Sequence, residues 1–286
     1  MHPVIFQTGL FGLLDEPLKL HTYGMLIATG FIVAMLLSSR QAEREGESAD
    51  AIVDLAFYAL VAGLVGARAA FIITKFDYYL ANPLEVLMFW RGGVVFYGGF
   101  IGAAVMVWWY CKRRRLPFFK VVDVLVPYLA LAHTFGRLGC LAAGCCYGKP
   151  TDLPWGTVFP AGSMAQQAHQ AAGLVGISEP ALPIHPTQLY EAGAELALFW
   201  VLLWLRPHKR FHGQLFLTWL AAYPVIRSGI EVFRGDVERG IYWGLSFAQW
   251  ISIGVAAAAV WLYVYLRRQR TRHSAADWGS AACGEA

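Results

Sequence analysis

Apolar residues in this chain come in runs long enough to cross a bilayer, with charged residues gathered in the intervals between them. Seven such runs can be drawn, at 20–38, 51–73, 94–111, 121–141, 188–205, 213–231 and 247–266. Each is close to the roughly 17–25 apolar residues that a transmembrane helix needs. The pattern predicts an all-α, polytopic membrane protein of about seven transmembrane helices, with residues 1–286 forming a single integral membrane domain. The longest interval, 142–187, is rich in Gly, Pro and polar residues and predicts a small head loop over the bundle. Residues 267–286 form a tail. The opening segment, Met1 to Leu14, lacks a basic region and a cleavage site and reads as interfacial. No internal repeat or low-complexity tract is visible.

Composition agrees with this pattern: 57% of the 286 residues are hydrophobic and the mean hydropathy is +0.48, well above a soluble domain of this length. Charge then orients the bundle. Arg40, Arg44, Lys112, Arg113, Arg114, Arg115, Lys120, Arg206, Lys209, Arg210, Arg267, Arg268, Arg270 and Arg272 fall on one side, fourteen in all. Lys19, Lys75, Arg91, Lys149, Arg234 and Arg239, six in all, fall on the other. The positive-inside rule places the fourteen, and the C-terminus, in the cytoplasm, and the N-terminus and head loop outside. The basic excess therefore needs no nucleic acid to explain it.

Three arginines are left over: Arg68, Arg137 and Arg227 lie inside the apolar runs themselves. An arginine at bilayer depth costs about 2.5–3.5 kcal/mol on insertion scales, so such residues usually face a cavity and bind an anion. The guanidinium stays charged and its planar fork matches phosphate oxygens. With the predicted topology all three fall in the outer half of the membrane. Tyr23, Tyr97, His185, Gln188 and Glu191 belong to the same layer. Glu231 follows Arg227 by four residues and so shares its helix face.

The most distinctive segment is His133-Thr-Phe-Gly-Arg-Leu-Gly-Cys-Leu-Ala-Ala-Gly-Cys-Cys-Tyr-Gly148, which follows Arg137 with irregular, glycine- and cysteine-rich backbone. Here the chain resembles the prolipoprotein diacylglyceryl transferases of bacteria, whose signature begins with Gly-Arg at the outer end of a span. Arg91-Gly-Gly-Val-Val-Phe-Tyr-Gly-Gly-Phe-Ile-Gly102, Thr151 to Pro160, His185-Pro-Thr-Gln-Leu-Tyr-Glu-Ala192 and Arg227-Ser-Gly-Ile-Glu-Val-Phe-Arg234 resemble further family blocks, in family order. The resemblance implies transfer of the sn-1,2-diacylglyceryl group from phosphatidylglycerol to the lipobox cysteine thiol in the signal-peptide region of a prolipoprotein. Glycerol phosphate leaves, a thioether forms, and no cofactor or metal is called for. The implied location is the bacterial inner membrane. Arg137 and Arg227 match the family's phosphate-site arginines, Glu231 the partner of Arg227, Tyr23 its essential first-span tyrosine, and Gly148 the glycine closing the signature. Gly136, Arg68, Gln188 and Glu191 also fall on family blocks.

Three positions depart from the family pattern. Tyr97 stands where histidine is usual, and a phenol of reference pKa about 10 is a poorer base. Cys140 and Cys145 replace the signature's Asn and Glu, with Cys146 alongside. His133 is then either a hydrogen-bonded helix residue or a replacement base. Arg68 is either a phosphate ligand or a clamp on Glu231 or on backbone carbonyls, and His185 before Pro186 either joins the site or caps a helix. The three cysteines read as a disulfide, as small packing residues or as metal ligands. The departures leave a second functional reading open: a catalytically lapsed homologue that binds anionic lipid or prolipoprotein without turnover. A transporter for an anionic solute would predict repeats or broken helices at mid-membrane, and none is visible.

Overall fold

A computed structural model describes residues 4–8, 18–87, 93, 95–235, 241–242 and 245–282. The helices are α1 (Thr22–Arg44), α2 (Ala49–Thr74), α3 (Phe76–Ala81), α4 (Phe96–Arg114), α5 (Phe118–Ala143), α6 (Met164–Ala171), α7 (Thr187–Leu205), α8 (Gln214–Glu231) and α9 (Phe247–Ala282). Each of the seven apolar runs overlaps one long helix. The protein is a largely helical membrane protein. Four of the described helices, within α1, α2, α5 and α9, are long and apolar enough to cross a bilayer by length and composition. The remaining long helices are diluted by charge: α4 ends in Lys112, Arg113 and Arg114, α7 carries Glu191 and Glu195, and α8 carries Arg227 and Glu231. Their polar residues lower the hydropathy of these three helices.

Two short ribbons complete the described chain. β1 (Val4–Thr8) pairs antiparallel with β2 (Leu18–His21), and β3 (Ile241–Tyr242) with β4 (Leu245–Ser246). The first apolar run begins at residue 20, but β2 holds the chain extended to His21, so the helix starts later. The last apolar run ends at 266, whereas α9 continues to Ala282, so most of the predicted tail is helical.

The chain divides into two compact units, residues 35–124 and residues 1–34 with 125–286. In the first, α2 packs on α4 through small residues: a methyl at Gly102 would overlap the Ala62 carbonyl, and Gly98 meets Ala70 and Gly66. Close backbone approach at small residues is the usual way for helices to pack where lipid removes the hydrophobic drive. The outer face of α2 presents Phe57, Tyr58, Leu60, Val61, Leu64 and Val65, all exposed. Such a stripe suits acyl chains.

In the second unit α8 packs against α7 and α9. Between α5 and α7 the chain forms a small head with its own core of Phe159, Ala165, Ala181 and Ile184, covered by Leu141 and Tyr147. The core strand contacts are Thr157 and Pro150 against Ile184. His169 of α6, buried, accepts the Leu182 N–H on Nδ1 at 3.2 Å. Burial pushes its pKa below the ordinary 6.5.

Candidate functional site

Three helices of the second unit each carry polar residues one turn apart, which places them on a single face of an otherwise apolar helix. On α5 these are His133 and Arg137, on α7 Gln188, Glu191 and Glu195, and on α8 Trp219, Tyr223, Arg227 and Glu231. Gln188, Glu191 and Glu195 are at most 1% exposed, so their partners must all be supplied by the protein.

The partners of the two carboxylates are in place. Arg137 Nη2 meets Glu191 Oε1 at 2.8 Å, and Arg137 Nε donates to His133 Nε2 at 3.2 Å. His133 Nδ1 lies 3.0 Å from Glu195 Oε1. These contacts assign the tautomer: a neutral ring donates from Nδ1 to Glu195 and accepts at Nε2 from Arg137. Tyr223 donates to Glu191 at 3.3 Å and Trp219 Nε1 to Glu195 at 3.4 Å. The Trp219 and Tyr223 rings stack with centroids 5.4 Å apart, and Tyr223 packs edge-on against His133. Arg137 Nη1 makes no hydrogen bond among the described residues, so one edge of the fork is available to an anion.

One turn further along α8, Arg227 Nη1 is ion-paired with Glu231 Oε2, and Arg234 Nε lies 3.9 Å from the same carboxylate. The Arg234 guanidinium also lies beside the Cys146 thiol. Its residue pairs with Gly148 in an antiparallel bridge. Gly148 is where three segments cross: its N–H donates to the His185 carbonyl at 3.1 Å, Lys149 N–H donates to Phe233, and Gly235 N–H donates to Tyr147. A Cβ at Gly148 would overlap the His185 backbone oxygen and side chain. The glycine that closes the signature thus knots the ends of α5, α7 and α8 together.

Between Arg137 and Gly148 runs the cysteine loop. Cys140 ends the polar face of α5, Gly144 and Cys146 take left-handed conformations, and the three sulfurs of Cys140, Cys145 and Cys146 lie within 4.8 Å of one another. All three thiols are free. They are the group in the described chain best able to hold a metal. Gln188 Nε2 donates to the Cys145 carbonyl at 2.7 Å and Thr187 Oγ1 to the Cys146 carbonyl at 2.8 Å. Gln188 Oε1 has no hydrogen-bond partner among the described residues.

The second unit therefore brings together Arg137, Arg227, Glu231, Glu191, His133, Gln188, Cys140 and Gly148. Tyr23 at the start of α1 lies against Gly139, whose absent side chain leaves room for its ring. Gly136 has no atom within 4 Å of where a Cβ would stand, so packing does not require glycine there. His185 lies in the crossing segment, with Nδ1 3.2 Å from the Tyr190 hydroxyl, which in turn accepts from Trp155. Arg68 and Tyr97 belong to the other unit. Of the two roles open to Arg68, the contacts favour the clamp: it donates to the carbonyls of Glu85, Val86 and Gly93 at 2.7–3.2 Å and lies over the Phe71 and Tyr79 rings. Tyr97, near the start of α4, is 49% exposed.

Glu195, Tyr223 and Arg234 were not singled out from sequence. A signal existed for the first two: Glu195 repeats Glu191 one turn on, and Tyr223 precedes Arg227 by one turn, each in an apolar helix. Arg234 follows the end of α8, where a lone arginine reads as an ordinary flank.

Comparison with known proteins identifies the family. The profile of the prolipoprotein diacylglyceryl transferase family matches residues 9–265. The chain is 34% identical over 263 residues to the phosphatidylglycerol–prolipoprotein diacylglyceryl transferase of Clostridium tetani, covering 92% of this chain and 97% of that protein. It is 36% identical over 264 residues to the enzyme of that name from Bordetella parapertussis, covering 90% and 94%. It is 31% identical over 269 residues to the one from Vibrio cholerae, covering 92% and 90%. The chain belongs to the prolipoprotein diacylglyceryl transferase family.

Proposed function

We propose that this protein transfers the diacylglyceryl group of phosphatidylglycerol to the lipobox cysteine of prolipoproteins, at a site in the outer half of a seven-span bundle in the bacterial inner membrane. The fourteen-to-six Lys/Arg bias supports an outer N-terminus and head, with the C-terminus in the cytoplasm. The observation that carries the reading is the buried Arg137–Glu191–His133–Glu195 network, which holds a guanidinium rigidly with one edge open, beside a second arginine, Arg227.

The chemistry follows from that geometry. The acceptor thiolate attacks the glyceryl carbon, the C–S bond forms, and the C–O bond to phosphate breaks with its electron pair leaving on glycerol phosphate. Negative charge grows on the leaving oxygen. Arg137 and Arg227 bind the phosphodiester and stabilise that charge, and one well-placed donor of this kind is worth about 3–4 kcal/mol. Glu191 and Glu231 fix the two forks before the lipid arrives, so little reorganisation remains for the transition state. The same positive potential favours the acceptor thiolate. His133, with Nε2 engaged by Arg137 and Nδ1 by Glu195, acts as a positioning residue. Tyr23, Gly136, Gln188 and Cys140 are assigned to line the substrate side.

Purified protein in detergent, given phosphatidylglycerol and a lipobox peptide, tests the reading. A peptide mass gain of one diacylglyceryl group with matching glycerol phosphate release is expected. Lipid binding without mass gain would support the lapsed homologue, for which the Tyr97, Cys140 and Cys145 replacements speak.

A further inference from the structure

Diacylglyceryl transfer has no use for three thiols. A cysteine of the protein attacking the glyceryl carbon would end as a thioether, which is a poor leaving group, and the enzyme would be alkylated once and stop. Yet the convergence of Cys140, Cys145 and Cys146 is built with care. Cys145 N–H caps the Cys140 carbonyl at 3.2 Å, and the chain then turns at Gly144 (φ 72°) and Cys146 (φ 57°). A left-handed conformation costs a non-glycine residue about 1–2 kcal/mol. The loop has glycine at one such position and keeps a cysteine at the other, where only its side chain can be the reason.

The loop is also held in place before any ligand arrives. Thr187 and Gln188, each 1% exposed, anchor the carbonyls of Cys146 and Cys145 to the first turn of α7. The sulfurs lie within 4.8 Å of one another. Three sulfurs around one ion at a metal–sulfur distance of about 2.3 Å would be about 4 Å apart, so small side-chain rotations close the triangle.

We propose that Cys140, Cys145 and Cys146 form a binding site for a soft, thiophilic cation of the Cu(I) class, held by three sulfurs. Thiolates select such ions over hard cations. A closed tetrahedral zinc site needs a fourth ligand, and no further His, Cys, Asp or Glu of the described residues joins the cluster. Three thiolates and one monovalent cation leave two negative charges. Arg137 beside Cys140 and Arg234 beside Cys146 are placed to offset them. Each ligating thiol gives its proton to solvent, and no electron transfer is involved. Because Arg137 also belongs to the carboxylate network, an occupied site would draw on the arginine assigned to lipid phosphate. The proposal holds whether or not the chain turns over lipid.

The test uses the full-length, detergent-solubilised, freshly reduced protein. Cu(I) is offered in competition with a chromophoric Cu(I) chelator, and Cd(II) alone is titrated while thiolate-to-metal absorption is followed. One tightly held ion per chain is expected with each probe. That stoichiometric step should vanish in the C140S/C145S/C146S variant, which keeps Cys111 and Cys283 as an internal background. It should weaken in Q188L, which keeps every cysteine but loosens the loop. Size-exclusion profiles identify any variant that misfolds, and the single C145S and C146S variants then decide. Failure to compete with the chelator, or binding unchanged without the three thiols, overturns the proposal. So does a disulfide between two of them in unreduced protein read by mass spectrometry.

Discussion

Arg68 and Arg137 are the same side chain in the same predicted setting, an apolar helix, yet the two units of the molecule treat them differently. In residues 35–124, Arg68 is closed in by three backbone carbonyls and two aromatic rings. In the other unit, Arg137 is oriented by a carboxylate and an imidazole that leave its Nη1 without a hydrogen bond to the described residues. A carbonyl clamp consumes donors to tie a loop to a helix, whereas a carboxylate held by its own partners fixes an arginine and keeps its charge directed outward. An intramembrane arginine is thus a pointer to function only once the fate of its donors is known.

The comparison can be broken. The largest expected effect is at Glu191, since removing one partner of a buried ion pair costs about 3–5 kcal/mol. Glu191→Ala should lower unfolding stability in detergent by that order and transfer with it, while Glu191→Gln should keep more of both. A stable, fully active E191A would show that the network does not hold Arg137. Next come Arg137→Ala and Arg227→Ala, each expected to lower turnover by about 10²–10³-fold with insertion intact. Arg68→Ala should instead lose about 2–3 kcal/mol of stability, the worth of charged hydrogen bonds to carbonyls, with turnover per folded molecule little changed. An R68A protein of normal stability and no turnover would erase the distinction between the two units.

The smallest effect is at His169 in the head. Its Nδ1 accepts a backbone N–H, so the folded ring is neutral, and burial holds its pKa below 6.5. The unfolded head therefore takes up its proton first as pH falls. The contribution is whole above that ordinary value and is lost as pH drops from there towards the lower folded value. Hydrogen exchange at Phe159 and Ile184 should accelerate over that window, and His169→Gln should flatten the dependence.

Much of this was legible in the sequence because membrane helices announce themselves by length and apolarity, and charged residues inside them stand out. Arg137, Glu191 and Arg227 stand out in that way, and the four-residue spacing of Arg227 and Glu231 predicts a shared face. Pro127 and Pro224, within α5 and α8, did not interrupt the apolar runs and did not end the helices. What could not be read was pairing across the chain. Nothing in the spacing joins His133 to Glu195, 62 residues away, or says that Arg68 meets carbonyls and not a carboxylate. The short ribbon of β1 and β2 was missed because four or five residues give too little alternation to compete with an apolar run. The extension of α9 was missed because its polar end satisfies the criterion for a tail equally well.

The crossing at Gly148 has a further consequence for how this protein can vary. Lys149 and His185 are bonded to each other, and Pro150 faces Ile184, so the head begins and ends at almost the same point. Residues 150–184 thus form a cassette closed at one seam, and α5 and α7 meet it at that seam and at Leu141 against the head core and Tyr190 against Trp155. Insertions on the side of the cassette away from the seam, Leu141 and Tyr190 would leave the ends of α5, α7 and α8 where they are.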